Sequence, residues 1–263
     1  MTTPAYFFVI HGSRNRETQL AAARLKHLLT EKIKSRTAIR LSGLKSNLSS
    51  SNLENIHLLD YPQTPLIEIA ALELAPLPLN KSLVSFAQKA SSLGLDRIKV
   101  VPLFLAPGVH VSEDIPLEVL LATKQINNLV NIELSTFLGK YSEMARLLTD
   151  KFSDLSAETR ILVAHGSRLP EVADYYQNMA NRVNAVMAYW SLAPNLEQQV
   201  EAQIKAGKIR VAILPYFLFP GKITQTISTK VASLQAQYPQ AELLLGQPLG
   251  ATEAIAELIA KEV

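Results

Sequence analysis

Three side chains that could bind a metal ion or move a proton each follow a predicted strand in the first half of the chain. His11 comes directly after the apolar run YFFVI, Glu73 ends the run LIEIAALE, and His110 lies in the loop LAPGVHVSEDIP that follows VVPLF. Ligands of open parallel sheets bind at the carboxyl ends of the strands. We therefore expect the two imidazoles and the carboxylate to face one crevice.

These residue types support two kinds of chemistry. Two imidazoles and a carboxylate suit a borderline divalent ion such as Fe²⁺, Co²⁺ or Ni²⁺. An unperturbed imidazole also titrates near pH 6.5, so it can accept a proton at cellular pH. A histidine at a strand end is, however, more often a hydrogen-bonded structural residue. Spacing alone therefore leaves a metal site, a catalytic site and a structural role open.

The chain repeats its first motif. Residues 6–14 read YFFVIHGSR and residues 160–168 read RILVAHGSR. Further blocks align in the same order, namely 72–76 with 190–194, 100–108 with 213–221, and 137–139 with 248–250. The offset between copies falls from 154 at the first block to 118 at the second, so the first half carries 36 extra residues there. Most of them fall in 42–65, which we interpret as a surface insertion, either a loop or a lid.

The two copies differ at the candidate ligands. His165 stands where His11 stands, but Ser191 replaces Glu73 and Ile223 replaces His110. A fold that needed these ligands for stability should need them in both halves. We therefore expect the chemical site in the first half and a degenerate copy in the second, where His165 is structural or lines a shared cleft.

Apolar runs alternate with helical patterns in both halves, which predicts an α/β fold with parallel sheets. The predicted strands cover 5–10, 65–72, 97–105 and 131–138, then 160–164, 184–190, 209–217 and 241–245. The predicted helices cover 14–34, 79–93, 113–127 and 141–152, then 168–182, 195–206, 225–237 and 251–262. Ser13 and Ser167 stand where helix N-caps are expected. We expect one lobe over 1–153 and a second over 158–263.

Composition excludes several classes of protein. The chain of 263 residues has no cysteine, which excludes disulfides, thiolate zinc sites and an internally held iron–sulfur cluster. No apolar run approaches the roughly 18–20 residues that span a bilayer, and no signal peptide is predicted. The net charge of +3 is mild, and no nucleic-acid-binding signature is present. We expect a cytoplasmic protein, or one from an equivalent soluble reducing compartment, that binds neither membrane nor nucleic acid.

The motifs HGSR, LELA and VVPLFLAPG-H-V-x-x-D-I-P together resemble the sirohydrochlorin chelatases of the CbiX/SirB type, in the long two-repeat form. The resemblance implies two flavodoxin-like lobes with a cleft between them. It also implies insertion of Fe²⁺ or Co²⁺ into sirohydrochlorin, a polycarboxylate tetrapyrrole, in siroheme or cobalamin biosynthesis. The matching positions imply that His11 and His110 bind metal and assist pyrrole deprotonation. Glu73 matches the glutamate of the family's LELA motif and is expected as a third metal ligand or as the residue that orients a histidine.

Substrate contacts are expected at the turns beside these residues. Free backbone N–H groups at a helix N-terminus can hold a carboxylate, and the expected contact residues are Gly12, Ser13, Arg14, Gly108 and Val109. The metal is expected as a substrate, with no permanently bound cofactor. Because the duplication can replace a homodimer, we expect a monomer.

Two other functions compete with a chelatase. A carrier of tetrapyrrole or metal would use the same cleft without catalysis, and the sequence does not separate the two. A histidine phosphatase would need an arginine before the motif histidine, but Ile10 precedes His11.

Overall fold

The computed structural model describes residues 4–46 and 64–263, which form two four-stranded parallel sheets with helices on both faces. The predicted α/β fold with two similar lobes is confirmed. Most of the predicted insertion lies outside the described residues. Within the part of the chain that the structure describes, no helix is both long and apolar enough to cross a bilayer.

The first lobe holds four strands and four helices. The strands are β1 (Ala5–Ile10), β2 (Ile67–Ala71), β3 (Arg97–Pro102) and β4 (Asn131–Leu134), in the sheet order β2-β1-β3-β4. The helices are α1 (Arg16–Ser46), α2 (Leu79–Ser92), α3 (Ile115–Ile126) and α4 (Met144–Ser153). A π-helical turn, His110–Asp114, precedes α3, and a 3-10 turn, Leu138–Lys140, precedes α4.

The second lobe repeats this order. Its strands are β5 (Thr159–Ala164), β6 (Val186–Tyr189), β7 (Arg210–Pro215) and β8 (Glu242–Leu245), in the sheet order β6-β5-β7-β8. Its helices are α5 (Pro170–Arg182), α6 (Leu196–Lys205), α7 (Lys222–Gln237) and α8 (Glu253–Glu262). A strand order of 2-1-3-4 is that of a flavodoxin-like sheet without its fifth strand.

Strand periodicity explains the layering. Side chains alternate between the two faces of a strand. Tyr6 and Phe8 of β1 therefore pack into a central core that also holds buried residues of α1, α4, α5 and α8. Phe7 and Val9 pack into an outer core with α2 and α3. The second lobe packs α6 and α7 against its own outer face. One core thus joins the two lobes.

Strand register confirms the repeat alignment. Val9 pairs with Pro102 in the first sheet, and Val163 pairs with Pro215 in the second. At the neighbouring strand, Ile10 pairs with Ala71 and Ala164 pairs with Tyr189. These pairs reproduce the offsets read from the sequence, so residues can be compared between lobes position by position.

The first helix is longer than predicted. It runs to Ser46, past the predicted end at 34, so residues 42–46 of the predicted insertion are helical. One contact with α8 falls within this extension, since Arg36 Nη1 lies 3.4 Å from Glu257 Oε1, and Lys32 Nζ, just before the predicted end, lies 2.9 Å from Glu253 Oε2. Local sequence pattern could not reveal these contacts because their partners are more than 200 residues away.

The serine N-caps are a second correction. Ser13 Oγ accepts from the N–H of Asn15, and Ser167 Oγ accepts from the N–H of Leu169, so each serine closes a turn before its helix. Asn15 performs the capping role at α1, because its Oδ1 accepts from the N–H of Glu17 at 2.7 Å.

Candidate active site

The three candidate ligands come together at the carboxyl end of the first sheet. One ligand atom from each of His11, Glu73 and His110 lies within 4.8 Å of the other two. His11 Nε2 is 3.9 Å from Glu73 Oε2, and the two imidazole centroids are 4.9 Å apart at an interplanar angle of 80°. Two atoms that share an ion at about 2.1 Å each can be at most about 4.2 Å apart. The His11–Glu73 pair meets that limit.

Parallel pairing of β1 and β2 explains why His11 and Glu73 are neighbours. The ladder continues past both strands, since the N–H of Glu73 donates to the carbonyl of His11 at 2.9 Å. Gly12 makes the close approach possible: its φ is +106°, and a Cβ there would lie 2.0 Å from the Glu73 carbonyl oxygen. Leu74, which follows Glu73 in the chain, adopts a φ of 57°, a backbone conformation that is costly for a residue with a bulky side chain.

His110 reaches the site from the loop after β3. It begins the π-helical turn that leads into α3, whereas the sequence predicted helix only from 113. The turn places Asp114 beside His110, with His110 Nδ1 and Asp114 Oδ2 2.7 Å apart. Single-turn π segments are often found at functional sites.

Hydrogen bonds fix which ring nitrogen each histidine offers. A carboxylate only accepts, so His110 Nδ1 carries the proton toward Asp114 and leaves Nε2 available. The Nδ1 of His11 lies 3.3 Å from the carbonyl oxygen of Gly12, which likewise leaves Nε2 available. An acceptor behind the ligating ring is the usual arrangement for a metal-binding histidine.

One aromatic ring lies beside this polar cluster, and exposed apolar residues adjoin its members in the chain. The ring of Phe104 lies 6.5 Å from that of His11 and 6.0 Å from that of His110. Leu74 is 57% exposed and Val109 is 43% exposed, and each adjoins a candidate ligand in the chain. His11 and Glu73 are exposed as well, so the cluster is open to solvent.

The predicted substrate-contact residues have different surroundings. Gly12 and Ser13 line an open groove of about 720 Å³ that runs from Leu74 along β2. All lining residues belong to the first lobe, so this groove differs from the predicted cleft between lobes. Gly108 has open space where a Cβ would lie, and its carbonyl accepts from the N–H of Val111. Arg14 is exposed in the turn before α1.

The second lobe keeps the backbone of the site and loses its ligands. Gly166 has φ +89°, and the N–H of Ser191 donates to the His165 carbonyl, as Glu73 does to His11. The hydroxyl of Ser191 donates to the same carbonyl at 2.7 Å. Ile223 packs against the outer core of that lobe. Among the residues that the structure describes, three residues that could together hold a metal ion converge only in the first lobe.

Two residues at the site were not found from the sequence. Asp114 is four positions after His110, a spacing that brings side chains together on a helix. The sequence prediction missed it because it placed His110 in a loop. Phe104 appeared as one apolar residue of the predicted strand 97–105. That strand ends at Pro102, and Phe104 follows it in the loop that carries the histidine.

Comparison with known proteins supports this assignment of the fold. The CbiX family profile matches residues 43–155 and, a second time, residues 159–263. A sirohydrochlorin ferrochelatase from Bacillus subtilis (strain 168) is 24% identical over 251 residues, which is 91% of this chain and 83% of that protein. A sirohydrochlorin ferrochelatase from Priestia megaterium is 30% identical over 112 residues, which is 39% of this chain and 42% of that protein.

A solved structure shows the same two-lobed architecture. The chain of "SirB from Bacillus subtilis with Fe3+" superimposes with a TM-score of 0.70 at 23% identity. The superposition covers 100% of this chain and 94% of that chain.

Proposed function

The chain belongs to the CbiX family, and we propose that it is a sirohydrochlorin chelatase that inserts Fe²⁺ or Co²⁺ into a tetrapyrrole at His11, Glu73 and His110. The single observation that carries the proposal is the convergence of these three ligands within 4.8 Å at the carboxyl end of one sheet. The second lobe keeps that backbone without the ligands, so the scaffold alone does not require them.

Metal insertion sets two chemical demands. An ion M²⁺ must exchange its water ligands for four ring nitrogens, and two pyrrole N–H protons must leave. The Nε2 atoms of His11 and His110, with the Glu73 carboxylate, form a ligand set that suits both Fe²⁺ and Co²⁺. Three protein ligands leave coordination positions open, so the ion can begin to bind a pyrrole nitrogen before it leaves the protein. The imidazoles then accept the pyrrole protons.

The exposed apolar groups fit the face of a macrocycle. Leu74 and Val109 flank the ligands in the chain, and Phe104 lies against both imidazoles. Burial of apolar surface against a tetrapyrrole face provides binding free energy without a specific hydrogen bond. A ring bound this way presents its face, and therefore its nitrogens, to the metal ion.

Exposed cations and backbone N–H groups are available to bind the carboxylates at the edge of the tetrapyrrole. Arg14 and Arg168 are exposed in equivalent turns after β1 and β5, and Lys222 is exposed at the start of α7. Exposed cations near a cleft raise the local concentration of an anionic substrate. We propose that these turns, with Gly12, Ser13, Gly108 and Val109, contact the carboxylate-bearing rim.

The activity test follows absorbance of metal-free sirohydrochlorin mixed with Co²⁺ or, without oxygen, with Fe²⁺. The expected result is that catalytic amounts of protein accelerate formation of the metallated ring over the rate in buffer. A spectral change that stops at one ring per protein would indicate a carrier and would contradict a chelatase. Sedimentation of the protein alone tests our further proposal that it is a monomer, and its absorbance and metal content before mixing test the proposal that it carries no permanent cofactor.

A further inference from the structure

The loop that carries His110 is held at three successive residues. The N–H of Leu103 donates to the carbonyl of Val9 at 2.7 Å, inside the first sheet. The carbonyl of Phe104 accepts from the N–H of Gly139 at 2.9 Å. The carbonyl of Leu105 accepts from the hydroxyl of Tyr216 at 3.2 Å. The third contact comes from the other lobe.

A short path joins Leu105 to the histidine. The N–H of Gly108 donates to the carbonyl of Ala106 at 3.0 Å, and the N–H of Val111 donates to the carbonyl of Gly108 at 2.8 Å. These bonds restrict the backbone conformation between Leu105 and His110. We therefore expect a displacement of the Leu105 carbonyl to move the imidazole.

A second tyrosine supports the same contact. The hydroxyl of Tyr175 donates to the carbonyl of Gly139, the residue that binds Phe104. A Cβ on Gly139 would lie 2.1 Å from the Leu105 carbonyl oxygen and 2.7 Å from the Tyr175 hydroxyl. The Leu105 carbonyl, Gly139 and the Tyr175 hydroxyl are thus in close contact where the two lobes meet.

The repeat shows that these tyrosines belong to one lobe only. Register places Leu103 at the position of Tyr216, since their N–H groups donate to the equivalent carbonyls of Val9 and Val163, both at 2.7 Å. The motif offset places Ala21 at the position of Tyr175. Neither counterpart has a hydroxyl. The tyrosine hydroxyls of the second lobe, which lacks the candidate ligands, therefore donate to carbonyls of the first lobe, which has them.

These hydroxyls are protonated at physiological pH, because the ordinary pKa of tyrosine is about 10 and burial raises it further. Tyr216 is only 3% exposed, and burial raises its pKa well above the ordinary value for tyrosine. Burial also raises the pKa of Tyr175, and it raises the pKa of the adjacent Tyr176 to about 12. A protonated hydroxyl can donate to a carbonyl throughout the physiological pH range.

We propose that Tyr216, supported by Tyr175, is a positioning residue for the metal site: it holds the Leu105 carbonyl and thereby sets the placement of His110 opposite His11 and Glu73. The degenerate lobe then has a defined role, which is to hold the ligand-bearing loop of its partner lobe. The inference rests on the proposed function in taking Co²⁺ as a substrate ion.

The test compares Tyr216→Phe with Tyr176→Phe. Tyr176→Phe is the matched control, because it removes a hydroxyl from the same ring cluster while both loop contacts stay in place. The readouts are the Co²⁺ dissociation constant, the visible spectrum of bound Co²⁺, and amide hydrogen exchange in residues 103–112. Loss of one buried hydrogen bond typically changes an equilibrium by about three- to tenfold. Because this bond affects Co²⁺ binding only through the placement of His110, Tyr216→Phe should weaken binding by up to that factor, shift the spectrum and speed exchange.

In turnover, Tyr216→Phe should raise KM for Co²⁺ more than it lowers kcat. Equal affinity, spectra and exchange in the two variants would overturn the proposal. If Tyr216→Phe melts too low for study, Tyr175→Phe removes the neighbouring contact, and the same outcomes decide. If the native protein binds Co²⁺ but does not insert it, the proposed chelatase activity is overturned, and the comparison of the Tyr216 and Tyr176 variants still tests the positioning role. A native protein that does not bind Co²⁺ would overturn both.

Discussion

His110 Nδ1 lies 2.7 Å from Asp114 Oδ2, four residues along the same helical turn. The carboxylate fixes the tautomer and the direction of the ring, and in the proposed metal site Nε2 is the nitrogen that would bind the ion. Because the pair is partly exposed, its contribution lies in orienting the ligand and not in stabilising the fold. This relationship makes Asp114 the first residue to test beyond the three ligands.

Asp114→Asn should weaken metal binding and leave folding intact. The amide keeps the shape of the side chain but loses the charge that supports the imidazole. Loss of such a partner typically costs about 10- to 100-fold in metal affinity or activity. Co²⁺ titration measures the effect, with Glu113→Gln as the control because Glu113 is the exposed neighbour. Native affinity in Asp114→Asn would show that the carboxylate does not orient the ring.

Gly12→Ala should be far more damaging than Gly108→Ala. A Cβ at position 12 would lie 2.0 Å from the Glu73 carbonyl oxygen, on a backbone with φ +106°. The turn must therefore move apart, which separates His11 from Glu73. A Cβ at position 108 meets nothing within 4 Å. Activity and thermal melting of both variants check this, and equal effects would refute the close-approach explanation.

The two motif histidines should differ in importance. His11→Ala removes a proposed metal ligand, whereas His165→Ala removes a ring whose lobe has Ser191 and Ile223 at the other candidate ligand positions. We expect the rate of metal insertion to fall much further in His11→Ala. Equal losses in two variants with native circular dichroism spectra would contradict the view that the second lobe is a degenerate copy.

Much of the site could be predicted because parallel sheets bring strand ends together. His11, Glu73 and His110 were found from their positions after β1, β2 and β3, and strand pairing supplies the proximity. The hydrogen bond from Tyr216 to the Leu105 carbonyl could not be found this way, since it joins residues 111 positions apart in different lobes. Leu103, Phe104 and Leu105 look like strand residues in sequence because the loop is as apolar as the strand before it.

The helix boundaries show the same limit. The N-terminal end of α5 was close to its prediction because Pro170 marks a first helical turn. The far end of α1 was missed because the helix continues to Ser46, and its first turn beyond the predicted end contacts α8 through Arg36 and Glu257, which no local signal reveals. The lobe limits at 153 and 158 and the substrate-contact roles stay predictions.

The central claim is that His110 is a ligand and proton acceptor for metal insertion. Its most direct test is the insertion rate of His110→Ala at saturating Co²⁺ and metal-free sirohydrochlorin. The side chain is partly exposed and its main partner is Asp114, so the variant should fold. We expect the rate to fall by a factor on the order of 10² or more, the usual effect of losing a positioned acid–base group. A folded variant with near-native turnover would show that the chemistry lies elsewhere.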